Sequence, residues 1–297
     1  MIKNRSHKNE QQGYEPDLAR IFLRKIARLI LQIFGIKGKT LWGNIVIQQF
    51  SSVINIRNTI DQTNILKIHT GHERLYWRAK TTTNLDDLYY RFISGANEKS
   101  VIYDIGANIG ILSLLSSQAL NCRVVAFEPE PMNFANLHQN VFENKLQDRV
   151  FCLPISLSDS NSVRTFYFKS ISPGDAMHSI DQPSPQIDDS NISKVLSQKV
   201  ASFSLDSLID IIDLPKPTHI KIDVDGAETS ILKGMKNLIN ATNHLSVFIE
   251  TDISPNGNYK EISLFMMENK FTEVEISEPE NNYSHTIRNA LFIKNNG

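Results

Sequence analysis

The chain has 297 residues, of which 41% are hydrophobic and 21% charged, and this is the composition of an ordinary soluble globular protein. Its formal net charge of −1 argues against a general attraction to nucleic acid, so a charged partner would have to meet a local patch. Two cysteines, Cys122 and Cys152, border apolar runs and argue against a disulfide framework or a zinc site. With no evident secretory signal, we expect a cytoplasmic protein.

The first 60 residues are predicted to form an appendage, followed by a catalytic domain at residues 61–297 with its core at residues 100–295. Within the appendage, residues 17–36 have helical periodicity, with apolar side chains on one face and arginines on another. Such a basic amphipathic helix can lie peripherally on an anionic membrane surface, or it can pack on the catalytic domain or on a second subunit of a homodimer. The width of the apolar stripe favours packing.

Between this helix and the central stretch of the chain, the pattern is β-like. Three runs lie within residues 45–68, and a fourth, residues 74–78, follows a turn at residues 70–71. A short helix over residues 85–93, with Asn84 as its N-cap, is predicted next.

The stretch at residues 101–110 (VIYDIGANIG) organises the rest of the chain. Three β-prone residues lead into Asp104, the glycines Gly106 and Gly110 follow, and an apolar helical pattern begins at Ile111. Strand, glycine turn and helix form the first half of a βαβ unit. A glycine turn lets the backbone approach a nucleotide-like ligand, and the helix N-terminus presents free N–H groups to it.

Further strands and helices are predicted in alternation. The second strand, residues 123–127, is followed by Glu128, at about the position where a Rossmann-type sheet has the acid that binds a ribose diol. The third, residues 150–157, ends at Ser158 and Asp159. Residues 160–200 then break the alternation, as expected of a lid, a substrate loop or a disordered segment.

The remaining elements return to the α/β pattern. They are helices at residues 204–212, 227–240 and 262–270, and strands at residues 219–226, 245–250, 271–276 and 290–293.

Acidic residues close five successive predicted strands. In open α/β sheets, ligands bind outside the carboxyl ends of the strands, so acids in register there predict a site for hydroxyls and positive charge. Any single acid is also explained as a turn residue, because Asp favours loop starts through local hydrogen bonds. The acids are Asp104, Glu128, Asp159, the pair Asp223 and Asp225, and Glu250.

The fourth predicted strand carries charges where a central parallel strand should be apolar. Lys221, Asp223 and Asp225 alternate with apolar residues on one face, and a buried charge must pair, bind something or reach an open edge. One interpretation is a structural ion pair between Lys221 and Asp223. The other, which we favour, is an acidic cluster that faces a substrate, made of Asp223, Asp225, Glu228 and Glu250.

Six motifs occur in order along this part of the chain. They are residues 104–110 (DIGANIG), 127–129 (FEP), 157–159 (LSD), 204–208 (SLDSL), 221–228 (KIDVDGAE) and 248–250 (FIE). Together they resemble the FkbM family of S-adenosylmethionine-dependent methyltransferases, over residues from about 100 to 295. Asp225 departs from the family pattern, which more often has Glu there, so that the charge is kept on a shorter side chain.

The resemblance implies a class I, Rossmann-like methyltransferase fold: a seven-stranded, mostly parallel sheet with helices on both faces and an antiparallel last strand. It also implies S-adenosylmethionine as cofactor. The residues that would hold it are Asp104, Gly106, Asn108 and Gly110 at the methionine end, Glu128 at the ribose, and Ser158 with Asp159 near the adenine.

The same resemblance points to O-methylation of a hydroxyl on a saccharide, glycan or similar polyhydroxylated small molecule. Methyl transfer from a sulfonium requires the enzyme to align the reactants and remove the acceptor's proton. We expect Asp223 at the reaction centre, Asp225 and Glu228 as base, substrate ligands or metal ligands, and Lys221 as their counter-ion. His178 is a second candidate base. The sequence indicates no metal site, and a divalent cation stays open.

Two other functions are alternatives to a methyltransferase. A nicotinamide oxidoreductase needs glycines at positions 106, 108 and 111, but Asn108 and Ile111 occupy the last two. A non-catalytic cofactor-binding or membrane-associated module would suit the basic helix. The intact acids on the fourth and fifth strands argue against such a loss of activity.

Overall fold

The structure, a computed structural model, describes residues 53–82, 85–168, 170–182, 196–278 and 286–295, together with Lys25. The predicted amphipathic helix at residues 17–36 lies outside the described residues apart from Lys25, and so does the predicted cap Asn84. The chain divides into two units, Met1–Ser52 and Val53–Gly297. The domain boundary predicted at residue 60 stays a prediction.

Strands and helices follow one another through the second unit. The strands are β1 (Val53–Arg57), β2 (Ile65–His69), β3 (Val101–Ile105), β4 (Arg123–Phe127), β5 (Val150–Leu153), β6 (Ser156–Leu157), β7 (Ser162–Phe168), β8 (Ser179–Ile180), β9 (Leu196–Phe203), β10 (His219–Ile222), β11 (His244–Asp252), β12 (Thr272–Ile276) and β13 (Ile287–Asn295). The helices are α1 (Glu73–Thr81), α2 (Asp87–Phe92), α3 (Ile111–Leu120), α4 (Pro131–Glu143), α5 (Leu205–Ile212), α6 (Glu228–Lys233), α7 (Lys236–Ala241) and α8 (Tyr259–Glu268).

Seven of these strands form the central sheet, in the order β12-β13-β11-β10-β3-β4-β5. Neighbouring strands from β11 to β5 run parallel, whereas β13 is antiparallel to both β11 and β12. This confirms the predicted seven-stranded, mostly parallel sheet with its antiparallel last strand. β4 and β5 lie on one side of β3, and β10 lies on the other. The strand order therefore reverses at β3, and ligands bind at such a switch point in open α/β sheets.

The sheet is covered on both faces, as the fold class predicts. Every residue of β3 is buried, and its alternate residues enter two separate hydrophobic cores because successive side chains point to opposite faces. Tyr103 and Ile105 pack into the core with α5, α6 and α7, whereas Ile102 packs into the core with α2 and α3. The strand is therefore fixed from both sides, and so is the turn that follows it.

The predicted strand at residues 74–78 is wrong, because these residues belong to α1. The aromatic residues Tyr76 and Trp77 raise strand propensity, but Leu75 and Ala79, four residues apart, are both buried on one helical face. His72 caps the helix by accepting a hydrogen bond from the backbone N–H of Arg74 at 3.2 Å.

The predicted third strand, residues 150–157, is two strands in separate sheets. β5 ends at Leu153 in the central sheet, and β6 pairs with β9 in a second, four-stranded sheet of order β6-β9-β7-β8. Much of the region predicted to be irregular, residues 160–200, is therefore regular, because β7 pairs antiparallel with both β8 and β9. Residues 183–195 lie outside the described part of the chain.

The predicted strand at residues 219–226 is too long, since β10 ends at Ile222. Asp225 has a φ of +54° and Gly226 a φ of +110°, values that no strand contains. The following helix is also divided, into α6 and α7. Among the described residues, no helix combines the length and apolar character that a membrane span requires.

Candidate active site

The turn between β3 and α3 is closely packed against its neighbours. A Cβ at Gly106, whose φ is +80°, would lie 1.9 Å from the carbonyl oxygen of Asp223, and a Cβ at Gly110, with φ +83°, would lie 2.3 Å from Leu137. Both positions favour glycine for their positive φ, and Gly106 also requires it for space because its neighbour is backbone. Asn108, with φ +52°, is also left-handed, which asparagine tolerates better than most residues.

A buried lysine joins this turn to the acidic stretch after β10. Lys221 lies directly opposite Asp104 in the register of β10 and β3. Its Nζ is 3.2 Å from Asp104 and 3.3 Å from Asp223, and it donates to the carbonyl oxygen of Gly106 at 2.9 Å. Burial alone lowers the pKa of Lys221, but the charges of the two aspartates outweigh burial and raise it. The ion pair between Lys221 and Asp223 is thus present, and Asp104 extends it to a triad.

The two aspartates of this triad differ in exposure. Asp104 is buried, and its second carboxylate oxygen accepts a hydrogen bond from the hydroxyl of Ser113 at 2.6 Å. Asp223 has 45% of its side chain exposed. Asp104 is therefore held inside the fold, whereas Asp223 can meet a molecule from solvent.

Glu128 follows β4 directly and turns back to the glycine turn. Its Oε2 accepts from the backbone N–H of Asn108 at 2.7 Å, and its Oε1 accepts from that of Glu130 at 2.9 Å. Burial raises the pKa of Glu128 to about 7, opposed by these hydrogen bonds. Each carboxylate oxygen has a second lone pair that a hydroxyl could use.

The acidic stretch forms a turn and the start of α6. Glu228 is buried, and its carboxylate accepts from the backbone N–H of Gly226 and from the side chain of Asn258, both at 2.9 Å. These bonds hold the turn that carries Asp225. Glu228 therefore supports the shape of this edge of the sheet.

Four carboxyl groups interact at this edge. Burial and, to a smaller extent, the charges of Asp223, Asp225 and Glu228 together raise the pKa of Glu250 to about 9. Burial of the carboxyl group, together with the charge of Asp223, raises the pKa of Asp225 to about 6, although the residue as a whole is exposed. Burial also raises the pKa of Glu228. The members of the predicted acidic cluster thus lie within electrostatic range of one another, and their role toward a substrate stays a prediction.

Residues 170–178 form a loop, called the covering loop below, that contacts both halves of the site. Asn108 donates from Nδ2 to the backbone carbonyl oxygen of Asp175 at 2.8 Å. Asp225 accepts a hydrogen bond from the backbone N–H of Met177 at 2.7 Å. The covering loop therefore ties the glycine turn to the acidic stretch.

Helices α1 and α4 hold the other side of the covering loop. Arg78 donates from Nε to the carbonyl oxygen of Gly174 at 2.9 Å, and Arg74 forms an ion pair with the buried carboxylate of Asp175. Asn133 accepts from the backbone N–H of Gly174 at 2.7 Å. These contacts are not predicted from the sequence, although the spacing of two arginines by four residues is a helical signal that indicates one shared face.

His178, the second candidate base, is packed at the end of the covering loop. Its ring lies against Phe166 and Phe168, at centroid distances of 5.5 and 6.5 Å, and neither ring nitrogen has a hydrogen-bond partner within the described residues. Burial lowers the pKa of His178. The charge and the nearby backbone carbonyl of Asp175 oppose this lowering, although the carbonyl does not meet the geometry of a hydrogen bond. The ring is thus mainly neutral at pH 7, and its role as a base stays a prediction.

Ser158 and Asp159 lie after β6 of the second sheet, and not at the end of a central strand. The buried hydroxyl of Ser158 donates to the carbonyl oxygen of Ser160 and accepts from the hydroxyl of Ser202, both at 2.9 Å. Asp159 is exposed and pairs with Arg164 at 2.8 Å. A position near an adenine stays a prediction for both residues.

The described residues do not provide a recognisable set of ligands for a divalent cation. In the ranges that the structure describes, no group of three or more His, Cys, Asp or Glu side chains is arranged to hold a metal ion. Glu228 uses both carboxylate oxygens for hydrogen bonds within the protein, and Asp223 pairs with Lys221. The metal-ligand role considered for the acidic cluster therefore has no geometric support.

Glu250→Gln is expected to flatten the pH dependence of stability between pH 7 and 9. The folded protein keeps a proton on Glu250 that the unfolded chain has already lost, so the free energy of unfolding falls as pH rises through this range. The fall is on the order of 2 kcal/mol, since one proton changes stability by at most about 1.4 kcal/mol per pH unit. His178 and His219, whose pKa values burial lowers, act in the opposite direction at lower pH.

The measurement is urea unfolding of the wild type and the Glu250→Gln variant at pH 7, 8 and 9. Glu268→Gln, a change at an exposed position of α8, serves as the matched control and should keep the wild-type slope. Equal slopes for the wild type and Glu250→Gln would contradict the raised pKa.

The strand order and the single antiparallel strand define a class I methyltransferase fold. The carboxyl edge of its sheet, where ligands bind in open α/β sheets, carries the glycine turn, Glu128 and the acidic stretch. The sequence model of the methyltransferase FkbM domain matches residues 104–283. The chain belongs to this family of methyltransferases.

Several known proteins are similar to this chain. The hexuronic acid methyltransferase AglP of Haloferax volcanii is 28% identical over 204 residues, which are 68% of this chain and 77% of that protein. Methyltransferase 1 of Beauveria bassiana is 27% identical over 156 residues, 46% of this chain and 59% of that protein. The solved structure of methyltransferase FkbM from Methylobacillus flagellatus has a TM-score of 0.44 and 14% identity, covering 86% of this chain and 60% of the other.

Proposed function

We propose that the protein transfers a methyl group from S-adenosylmethionine to a hydroxyl oxygen of a saccharide or a similar polyhydroxylated acceptor. The observation that supports this most is the triad of Asp104, Lys221 and Asp223. Through Lys221, Asp104 of the glycine turn lies near Asp223 of the exposed acidic stretch. Methyl transfer requires the cofactor and the acceptor to be held side by side, and this triad would place their two binding regions next to each other. The similarity to a hexuronic acid methyltransferase supports a sugar acceptor.

The residues of the glycine turn fit S-adenosylmethionine. Asp104 Oδ1 is buried 3.2 Å from Lys221 Nζ and accepts no hydrogen bond from the described residues, and we assign its remaining lone pair to the cofactor's amino group. Carboxylates suit a cofactor with a sulfonium, an amino group and no phosphate, and Glu128 suits its ribose hydroxyls. When bound, this cofactor supplies an electrophilic methyl group.

On the acceptor side, Asp223 is the residue we assign to the proton. Lys221 contacts its Oδ2 and leaves the other carboxylate oxygen for the acceptor. Asp223 would take the proton of the acceptor hydroxyl, whose oxygen would receive the methyl group that the bound cofactor supplies, with neutral S-adenosylhomocysteine as the leaving group. Asp225 holds the covering loop by accepting a hydrogen bond from the backbone N–H of Met177, and Glu228 holds the turn that carries Asp225 by accepting one from Gly226.

Asp104→Ala and Glu128→Ala are each expected to weaken S-adenosylmethionine binding by roughly tenfold or more. Each removes a buried carboxylate from the glycine turn, and with it the acceptor for a cofactor amino group or hydroxyl. Isothermal titration calorimetry at pH 8, where Glu128 is ionised, measures the loss.

Glu98→Ala, a change at an exposed position before β3, is the control and should bind as the wild type does. Circular dichroism checks that the variants are folded, and Asp104→Asn, which keeps the shape of the side chain, should show the same defect. A wild-type protein that binds no S-adenosylmethionine would refute the proposed function.

A further inference from the structure

Two arginines one helical turn apart on α1 differ in their partners. Arg74 is neutralised by an ion pair with the buried carboxylate of Asp175. Arg78 donates its Nε to the backbone carbonyl of Gly174 and, within the described residues, forms no ion pair with any carboxylate. Within the described part of the chain, a half-buried guanidinium without an ion-pair partner thus lies at the covering loop.

The guanidinium of Arg78 is held in one orientation. Gly174 fixes its Nε, and its central carbon lies 5.6 Å from the ring centroid of Trp77. Its two terminal nitrogens make no hydrogen bond with the described residues. These two terminal nitrogens can each donate an N–H in the plane of the guanidinium, and such a planar pair of donors matches the two oxygens of a carboxylate.

The charge of Arg78 reaches the acceptor side of the site. This charge opposes the rise that burial causes in the pKa of Asp225, and it adds to the lowering that burial causes in the pKa of His178, so both groups lie within its electrostatic range. The covering loop connects Arg78 with Asp225, because Gly174 accepts a hydrogen bond from Arg78 and Met177 donates one to Asp225. These two loop residues are three positions apart, so at most about 11 Å of extended chain separates them.

Arg78 has no ion-pair partner among the described residues, and a carboxylate on the acceptor would supply one. The acidic cluster repels an anionic acceptor, and a neutral sugar would need no cation to bind beside it. We propose that Arg78 binds a carboxylate group of the acceptor, which makes the acceptor an acidic sugar and Arg78 a specificity-determining residue. This rests on the proposed function of the same site, and assigns one substrate group to one side chain.

A purely structural role for Arg78 would be to hold Gly174. Arg78→Gln keeps a side chain that can still donate to the carbonyl oxygen of Gly174, but it removes the charge. Arg78→Lys keeps the charge without the paired donors. The two variants therefore separate loop support from carboxylate recognition.

The experiment is calorimetric titration of the protein, saturated with S-adenosylhomocysteine, with methyl glycosides. The probes are glucuronic, galacturonic and mannuronic acid glycosides, the corresponding neutral hexosides, and glucose 6-phosphate. The wild type should bind at least one uronic acid glycoside roughly tenfold more tightly than its neutral counterpart and than the phosphate. Arg78→Gln should abolish this preference, and Arg78→Lys should retain part of it.

Arg123→Gln, a change at an exposed position on β4, is the control for loss of one positive charge and should keep the preference. Wild-type protein that binds no uronic acid glycoside, or binds it no better than the neutral sugar or the phosphate, overturns the inference. So does Arg78→Gln with an unchanged preference. The proposed function is judged separately by S-adenosylmethionine binding, so one can fail while the other stands.

Discussion

Lys221→Met is expected to lower the free energy of unfolding by about 3–5 kcal/mol, the cost of removing one partner from a buried ion pair. The lysine is buried, and it compensates Asp104, which is also buried. Its loss leaves that carboxylate with one hydrogen bond, from Ser113, and leaves the carbonyl oxygen of Gly106 without its donor. Urea unfolding followed by tryptophan fluorescence measures the change.

A double-mutant cycle shows whether the charge of Asp104 is the cause. Lys221→Met combined with Asp104→Asn removes both buried charges, so the double variant should be more stable than Lys221→Met alone. Lys216→Met, a change at an exposed position before β10, should shift stability by less than about 0.5 kcal/mol. If the double variant were less stable than both single variants, the pairing of the two charges would not be what stabilises this edge of the sheet.

The central sheet could be predicted from sequence because its strands are apolar runs closed by turn residues. β3, β4, β10 and β11 are all found within the predicted ranges or within two residues of them. Where prediction failed, local propensity and tertiary context disagree. Tyr76 and Trp77 favour a strand, but the burial of Leu75 and Ala79 against the core makes the segment a helix.

The end of β10 shows a second limit. Alternation of charged and apolar residues continues to Asp225, and alternation alone cannot show where a strand stops. The left-handed conformation at Asp225 and Gly226 ends it, and the side chain of Asp225 is then used to hold the covering loop. Gly226 was a turn signal in the sequence, but its effect on the residue before it was not visible there.

The site was predicted as a set of acids, and its organisation depends on contacts that sequence does not contain. Lys221 was expected to act as a counter-ion for Asp223, two positions away. The register of β10 and β3 also places it opposite Asp104. Arg78 and Gly174 are brought together by the fold of the insertion, which has no periodic pattern in this part. Long-range pairs of this kind require the topology before they can be inferred.

Asp223→Asn is expected to reduce kcat for methyl transfer by about 100- to 10,000-fold, the contribution of a positioned general base. The variant should fold, because Asp223 is 45% exposed and Lys221 retains Asp104 as its partner when the second carboxylate is neutralised. S-adenosylmethionine affinity should change little, since Asp104 and Glu128 are untouched. Turnover is measured with an acceptor that the wild type methylates, and cofactor affinity by calorimetry.

The comparison of kcat with cofactor affinity is what identifies Asp223 as the base. Asp210→Asn, a change at an exposed position on α5, controls for loss of a surface carboxylate and should leave both quantities unchanged. His178→Gln addresses the competing base, because His178 is buried, neutral and without a hydrogen-bond partner among the described residues. If Asp223→Asn kept the wild-type rate while His178→Gln lost it, the proton would go to the histidine, and the acidic cluster would serve to bind the acceptor.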